Sequence, residues 1–226
     1  ALATLALVCT LSVFNGFHDL ISSFFTHFDP QLKVEAARGK TFVQDSAMMA
    51  SIQQIEGVEV VSMTLEDNAM AKYQEQQAMV TIKGVDDNFQ ALTGVEEILY
   101  GNPELKLYDE VADYGIPGMQ LMYILGMGMQ PFDPIEVYAP RTGTRVNMTN
   151  PMANFKRLPL YSPGTVLNIN DARYASTYIV ASLDYAQRLF DCPGEISAIE
   201  LRLTPGASTG RVKRAVQQLV GDGFTV

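Results

Sequence analysis

Apolar and polar positions change period several times along this chain, and the first change is the sharpest. Residues 1–14 (ALATLALVCTLSVF) are apolar almost without a break. From there Phe14, Phe17, Ile21, Phe24, Phe25 and Phe28 recur at helical spacing, with Asn15, His18, Asp19, Ser22 and Thr26 opposite. A bilayer takes about 20 apolar residues to cross, and the run lacks the basic leader and cleavage site of a signal peptide. It is therefore expected to be the end of a transmembrane helix whose first part lies outside this sequence, leaving the membrane as an amphipathic stalk over 1–28. An ordinary amino-terminal core helix is the alternative. Asp29-Pro30 ends the helix, because proline lacks a donor and restricts the residue before it.

Shorter periods follow. Leu32–Ala36 reads as a strand. Asp45 or Ser46 caps a helix whose apolar face is Met48, Met49, Ile52 and Ile55, with Gly57 as its stop. Three strands are expected at Val58–Leu65, Ala69–Gln74 and Ala78–Val85. In the last, Ala78, Val80 and Ile82 alternate with Met79, Thr81 and Lys83, so one face is buried. Asp86-Asp87-Asn88 is turn chemistry.

Residues 95–175 hold eight of the eleven prolines, with short apolar runs between them. Met119–Leu125 is expected as a short helix, Ile135–Ala139 and Thr165–Ile169 as strands, and Arg141–Asn154 as a polar loop. Regular alternation then returns. Tyr178–Ala181 reads as a strand, Ser182 caps a helix through Phe190 with an Asp184–Arg188 pair, Ile196–Leu203 is a strand and Thr209–Val220 a helix before Gly221. Phe224-Thr225-Val226 is expected as a strand cut short. The fold class is α+β: an α/β subdomain formed by both chain ends (29–94 and 176–226), interrupted by a mostly-β insertion (95–175).

Charge narrows the partners. The chain carries 25 acidic and 16 basic residues, a net charge of −9, with 14 acidic and 6 basic side chains in 31–110 but 9 and 10 in 111–226. No basic stripe runs along it, so nucleic acid is not an expected partner. Candidate chemistry is sparse. His18 and His27, the two histidines, lie nine residues apart, about 13 Å along a helix at ~1.5 Å per residue, too far for one metal ion. No G-x-S-x-G, H-E-x-x-H or Gly-Lys-Ser/Thr motif occurs. Cys9 and Cys192 form neither a disulfide framework nor a metal knuckle. No catalytic, cofactor or metal site is expected.

Several segments, in order, resemble the extracytoplasmic domain of ABC-transporter permeases of the lipoprotein-releasing, FtsX-like and MacB-type group. They are LSVFNGFHDLISSFF (11–25), VTIKGVDDNFQAL (80–92), GIPGMQLMYILGM (115–127), IEVYAPRTG (135–143) and YIVASLDYAQRLF (178–190) with ISAIELRL (196–203). Pro131-Phe132-Asp133-Pro134 and Ser162-Pro163-Gly164 depart from the group's pattern and leave the subfamily open. The resemblance implies a non-catalytic, porter-like domain in the periplasm between two transmembrane helices. Its full-length permease would sit in the inner membrane, pair with a second permease subunit and recruit a cytoplasmic ATPase. It also implies a periplasmic protein partner or lipoprotein cargo, contacted through the loop after the VYAPR-like strand. Val146, Asn147, Met148 and Met152 are the contact residues this places here; a simple connector is the bland alternative.

Overall fold

The structure is a computed structural model that describes residues 28–102, 104–129, 131–141 and 151–226. Apart from Phe28, the expected membrane-proximal helix lies outside the described residues. The α+β class expected from the sequence is the one observed. A nine-stranded sheet has the order β13-β1-β12-β3-β4-β10-β6, with β7 added to β3 and β8 to β7. Its strands are β1 (Leu32–Ala36), β3 (Val58–Tyr73), β4 (Gln76–Val85), β6 (Ile116–Pro117), β7 (Ile135–Pro140), β8 (Phe155–Leu160), β10 (Tyr178–Ser182), β12 (Ala198–Leu203) and β13 (Phe224–Thr225). Two small pairs, β2 (Phe42–Val43) with β11 (Glu195–Ile196) and β5 (Leu99–Tyr100) with β9 (Val166–Leu167), lie outside it.

β3 is the axis. It runs for 16 residues, about 50 Å at the usual strand rise, and pairs with β4 along ten of them. On its other edge β12 covers Val58–Thr64 and β7 covers Met70–Lys72. The polar pair Asp67-Asn68, expected as a break between two strands, does not interrupt it. Asn68 accepts a cross-strand hydrogen bond from the Thr81 hydroxyl, and Asp67 pairs with Lys40 at 3.1 Å, so both side chains are served in extended conformation. β6, β7 and β8, all from 95–175, join strands of the flanking segments, while β5 and β9 pair with each other.

Among the described residues six α-helices cover the sheet: α1 (Ser46–Gln53), α2 (Phe89–Thr93), α3 (Met119–Ile124), α4 (Ala172–Thr177), α5 (Leu183–Leu189) and α6 (Thr209–Val220). Their starts follow from local chemistry. Asp45, Asp171 and Ser182 accept backbone N–H groups in the first turns of α1, α4 and α5. Three apolar clusters result. Ile52, Val212 and Val216 from α1 and α6 pack on Leu32, Val34, Val61, Ile199 and Leu201. Tyr185, Ala186 and Leu189 of α5, with Leu121 and Met122 of α3, pack on Val80, Ile82 and Ile179. On the opposite face Phe28, Phe89, Tyr174, Tyr178 and Ile116 form the third.

The chain approaches β1 and leaves β13 at the same end of the sheet. β1 and β13 are antiparallel neighbours, with Ala36 opposite Phe224 and Glu35 opposite Thr225. Gln31 marks that end, its side chain accepting the Leu203 N–H at 2.6 Å. The far end is the β3–β4 hairpin at Tyr73 and Gln76.

One close contact sets the seat of α5. A Cβ on Gly84 would lie 2.3 Å from the Ala186 Cβ and 3.3 Å from the Leu183 Cα, so the helix rests on bare backbone of β4. Gly84→Ala is expected to cost about 1–3 kcal/mol through overpacking, read as a lower urea midpoint with unchanged slope. An unchanged midpoint would mean that α5 is free to lift.

Candidate functional site

The group of side chains that the cores do not explain lies on the face shared by β12, β3 and β4. Antiparallel register places Glu66 directly opposite Lys83, and Glu200 opposite Ser62 on the other side of β3. Period-two alternation then turns Glu200, Glu66 and Lys83 to one face. The Lys83 ammonium lies 2.8 Å from Glu200 Oε1 and 3.1 Å from Glu66 Oε1. The Lys83 and Glu200 side chains are only 3% and 1% exposed. Thr64 donates a long hydrogen bond to Glu200 at 3.4 Å, and Tyr178 one to Glu66 at 3.5 Å. Glu200 Oε2 is buried without a hydrogen-bond partner.

Aromatic rings roof the cation. Lys83 Nζ lies 4.8 Å from the Phe28 ring centroid and 5.4 Å from that of Phe89. Phe28 meets Phe89 edge-on at 5.9 Å and Tyr178 at 5.8 Å, with Tyr174 at 4.9 Å. The next residue, Asp29, accepts a hydrogen bond from the Tyr174 hydroxyl. The chain arriving from 1–27 is thus fastened to the sheet by Phe28 and Asp29 before β1 begins.

Burial disfavours the Lys83 cation, but Glu200 and Glu66 together outweigh it and hold its pKa above the ordinary lysine value. Burial pushes the Glu200 carboxyl upward, against the pull of Lys83. Burial, with Glu66 beside it, raises the Tyr178 hydroxyl to about 12. Beside the cluster opens a polar cleft of about 430 Å³, lined among others by Lys33, Glu35, Glu66, Asp67, Thr81 and Tyr178. Cations and anions are mixed along its walls. Lys83 is saturated by two carboxylates and two rings, so the arrangement is a clasp between strands and not a group poised to move a proton. Among the described residues no set of three His, Cys, Asp or Glu side chains is placed to hold a metal ion.

Of the residues expected to contact a partner, Val146, Asn147 and Met148 lie outside the described residues. Met152 is 60% exposed in a 3-10 turn (Pro151–Asn154) that leads into β8, next to the partly exposed Phe155. It stands far in sequence and in the sheet from the Lys83 cluster, which sequence reasoning missed. Lys83 was read as the outward side of an alternating strand. The available signal was a charge set in each of two strongly apolar strands, VTIKGV and AIELRL.

No protein-family model matches this sequence, and no curated protein does either. The likeness to known proteins is structural. The extracellular domain of the noncanonic ABC-type transporter YknZ from Gram-positive bacteria superposes with a TM-score of 0.53 at 12% identity, over 86% of this chain and 98% of that one. The periplasmic region of MacB from Actinobacillus actinomycetemcomitans superposes with a TM-score of 0.50 at 8% identity, over 85% of each chain. The fold is that of extracytoplasmic domains of ABC-transporter permeases. Among the described residues no helix is long and apolar enough to cross a membrane.

Removing Lys83 leaves Glu200 buried and uncompensated, so Lys83→Met is expected to destabilise by about 3–5 kcal/mol, with Lys83→Met/Glu200→Leu recovering much of the loss. The raised Glu200 pKa fixes a sign. Above its ordinary value of 4.5 the folded state keeps a proton the unfolded chain has released, so this group's contribution is present below pH 4.5 and lost as pH climbs through the raised value. Denaturation of the parent and Glu200→Gln across pH 4.5–8 should show the parent losing stability relative to the variant. The opposite trend would mean that Lys83 outweighs burial at Glu200.

Proposed function

We propose that this chain is the extracytoplasmic domain of an ABC-transporter permease of the lipoprotein-releasing type, and that its role is mechanical and not catalytic. The fold likeness, which spans most of this chain and of both compared domains, supports the permease part of this reading. The geometry agrees with it. The approach to β1 and the exit from β13 lie side by side, which suits a domain held between two membrane segments. A domain that transmits motion needs a stiff member from the membrane side outward, and the β3–β4 ribbon is one. Phe28 and Asp29 couple the arriving segment to that ribbon through Lys83 and Tyr174.

In this reading the full-length permease lies in the inner membrane with this domain in the periplasm, pairs with a second permease subunit and is driven by a cytoplasmic ATPase. The ordered segments VTIKGVDDNFQAL, IEVYAPRTG and YIVASLDYAQRLF favour lipoprotein release. Val146, Asn147, Met148 and Met152 then contribute the contact to a periplasmic carrier or cargo, and the exposure of Met152 supports this. A second reading, a MacB-type efflux or mechanotransmission domain, draws on the likeness to the periplasmic region of MacB.

The test is purification of the full-length membrane protein from its host with a photoreactive residue at Met152. Co-purification of a nucleotide-hydrolysing subunit and crosslinks to a soluble lipoprotein carrier, lost on deletion of 144–150, are expected. Crosslinks to an efflux adaptor or a cell-wall hydrolase would move the function within the permeases. Absence of any ATPase would sink the permease reading.

A further inference from the structure

The amino-terminal half of α6 sets cations where a helix disfavours them. Arg211, Lys213 and Arg214 are all exposed and fall in its first two turns, the helix has no acidic residue in its first turn, and Ser208 makes no side-chain capping bond. The positive end of the helix dipole lies there, so each of these charges costs the helix a little and none is explained by its stability. None pairs with a carboxylate among the described residues. In a chain of net charge −9, this is a local reversal of sign.

Its position is informative. Val212 packs against Gly57, the Thr204 N–H donates to the Gly57 carbonyl at 3.0 Å, and Leu203 is bonded to Gln31. These contacts seat the start of α6 at the end of the sheet where the chain approaches β1 and leaves β13. Helical side chains lean toward their own amino terminus, and Arg214 Nε confirms it by donating to the Gly210 carbonyl at 3.0 Å. The three cations therefore face the end at which the described chain approaches β1. Of the acidic side chains at this end, Glu59 is taken up by Arg202 at 3.5 Å and Asp29 by the Tyr174 hydroxyl, while Glu56 is exposed.

We infer that Arg211, Lys213 and Arg214 form a docking surface for the anionic phospholipid headgroups of the membrane to which the chain leads. The inference rests on the permease reading for the presence of that membrane. Each basic residue held near an anionic bilayer strengthens attraction roughly fivefold, within about a Debye length. Contact through α6 fixes the tilt of the sheet on the membrane, and α6 shares its apolar cluster with β1 and β12, so that tilt reaches the ribbon directly.

The experiment is flotation of the 226-residue chain with phosphatidylcholine vesicles containing increasing fractions of phosphatidylglycerol. Residues 1–14 carry no charged side chain, so any binding through them is indifferent to that fraction. Binding that rises with phosphatidylglycerol and weakens with salt is expected for the parent. Arg211→Gln/Lys213→Gln/Arg214→Gln should lower the anion-dependent part by roughly a hundredfold. The charge-matched control Lys40→Gln/Lys72→Gln/Arg157→Gln, remote from α6, should leave it intact. Circular dichroism and thermal midpoints establish that both variants are folded. Binding indifferent to phosphatidylglycerol, or equal loss in the two variants, overturns the proposal, as does loss in the α6 variant of self-association in place of vesicle binding. The assay needs no ATPase, so its failure is separable from failure of the permease reading, which co-purification decides.

Discussion

Three neighbouring strands meet at one buried ammonium. Lys83 of β4 ties Glu66 of β3 to Glu200 of β12, and its exposed side is closed by Phe28, the residue through which the preceding segment joins the domain. Replaced by apolar residues of similar volume, such a cluster would gain or lose little stability, since desolvation of the ions absorbs much of their attraction. What it supplies is registry. A one-residue slip of β4 against β3 would turn Lys83 to the opposite face, against the apolar side chains of α3 and α5, and leave two carboxylates without a counter-ion. The long β3–β4 ribbon, whose far end is held by the pairing of β7 with Met70–Lys72, is pinned near its base by this penalty.

The ribbon in turn organises everything hung on it. Because β12 and β7 occupy different stretches of the same β3 edge, the strands from 95–175 and those from the chain ends share one backbone ladder. A displacement of β3 at Val58 is a displacement of β7 and β8 as well. The packing of α5 on Gly84 and of Phe28 on Phe89 and Tyr178 adds contacts on both faces of β4 near the same level. Stiffness is concentrated where the arriving segment is attached, which is where a lever needs its fulcrum.

Much of this was legible from residue patterns, and the exceptions share a cause. β1 and α6 fall on the expected residues, and Ser182 caps α5 as expected, because each is specified by its own periodicity and caps. The continuity of β3 through Asp67-Asn68 was not legible: the partners that satisfy those side chains, Lys40 and Thr81, are distant in sequence. Likewise the expected single strand over Ile196–Leu203 is divided at Ser197, whose hydroxyl accepts from Glu66 N–H and donates to the Thr64 carbonyl. α4 escaped notice because its six residues end in Ser176-Thr177, poor helix formers whose hydroxyls bond back to Ala172 and Arg173. The Lys83 cluster was hidden for the same reason as β3: its charges are neutralised across strands, and alternation alone reads a lysine as facing water.

The two charged features of the domain therefore do opposite work. Around Lys83 charge is spent inward, paired, roofed by rings and closed to partners. On α6 it is left outward and unpaired at some cost to the helix. They sit on opposite faces of the strands at the same end of the sheet, β12 carrying Glu200 on one face and Leu201, packed with Val212 of α6, on the other. An attached segment pulling on Phe28 and a surface held at α6 would act on one sheet from two sides, so the sheet would turn about that end and not merely translate. Such a rotation is carried outward undiminished only by a strand that does not bend, and β3, paired with β4 through the region where β12 gives way to β7, is built without the break that its sequence invites.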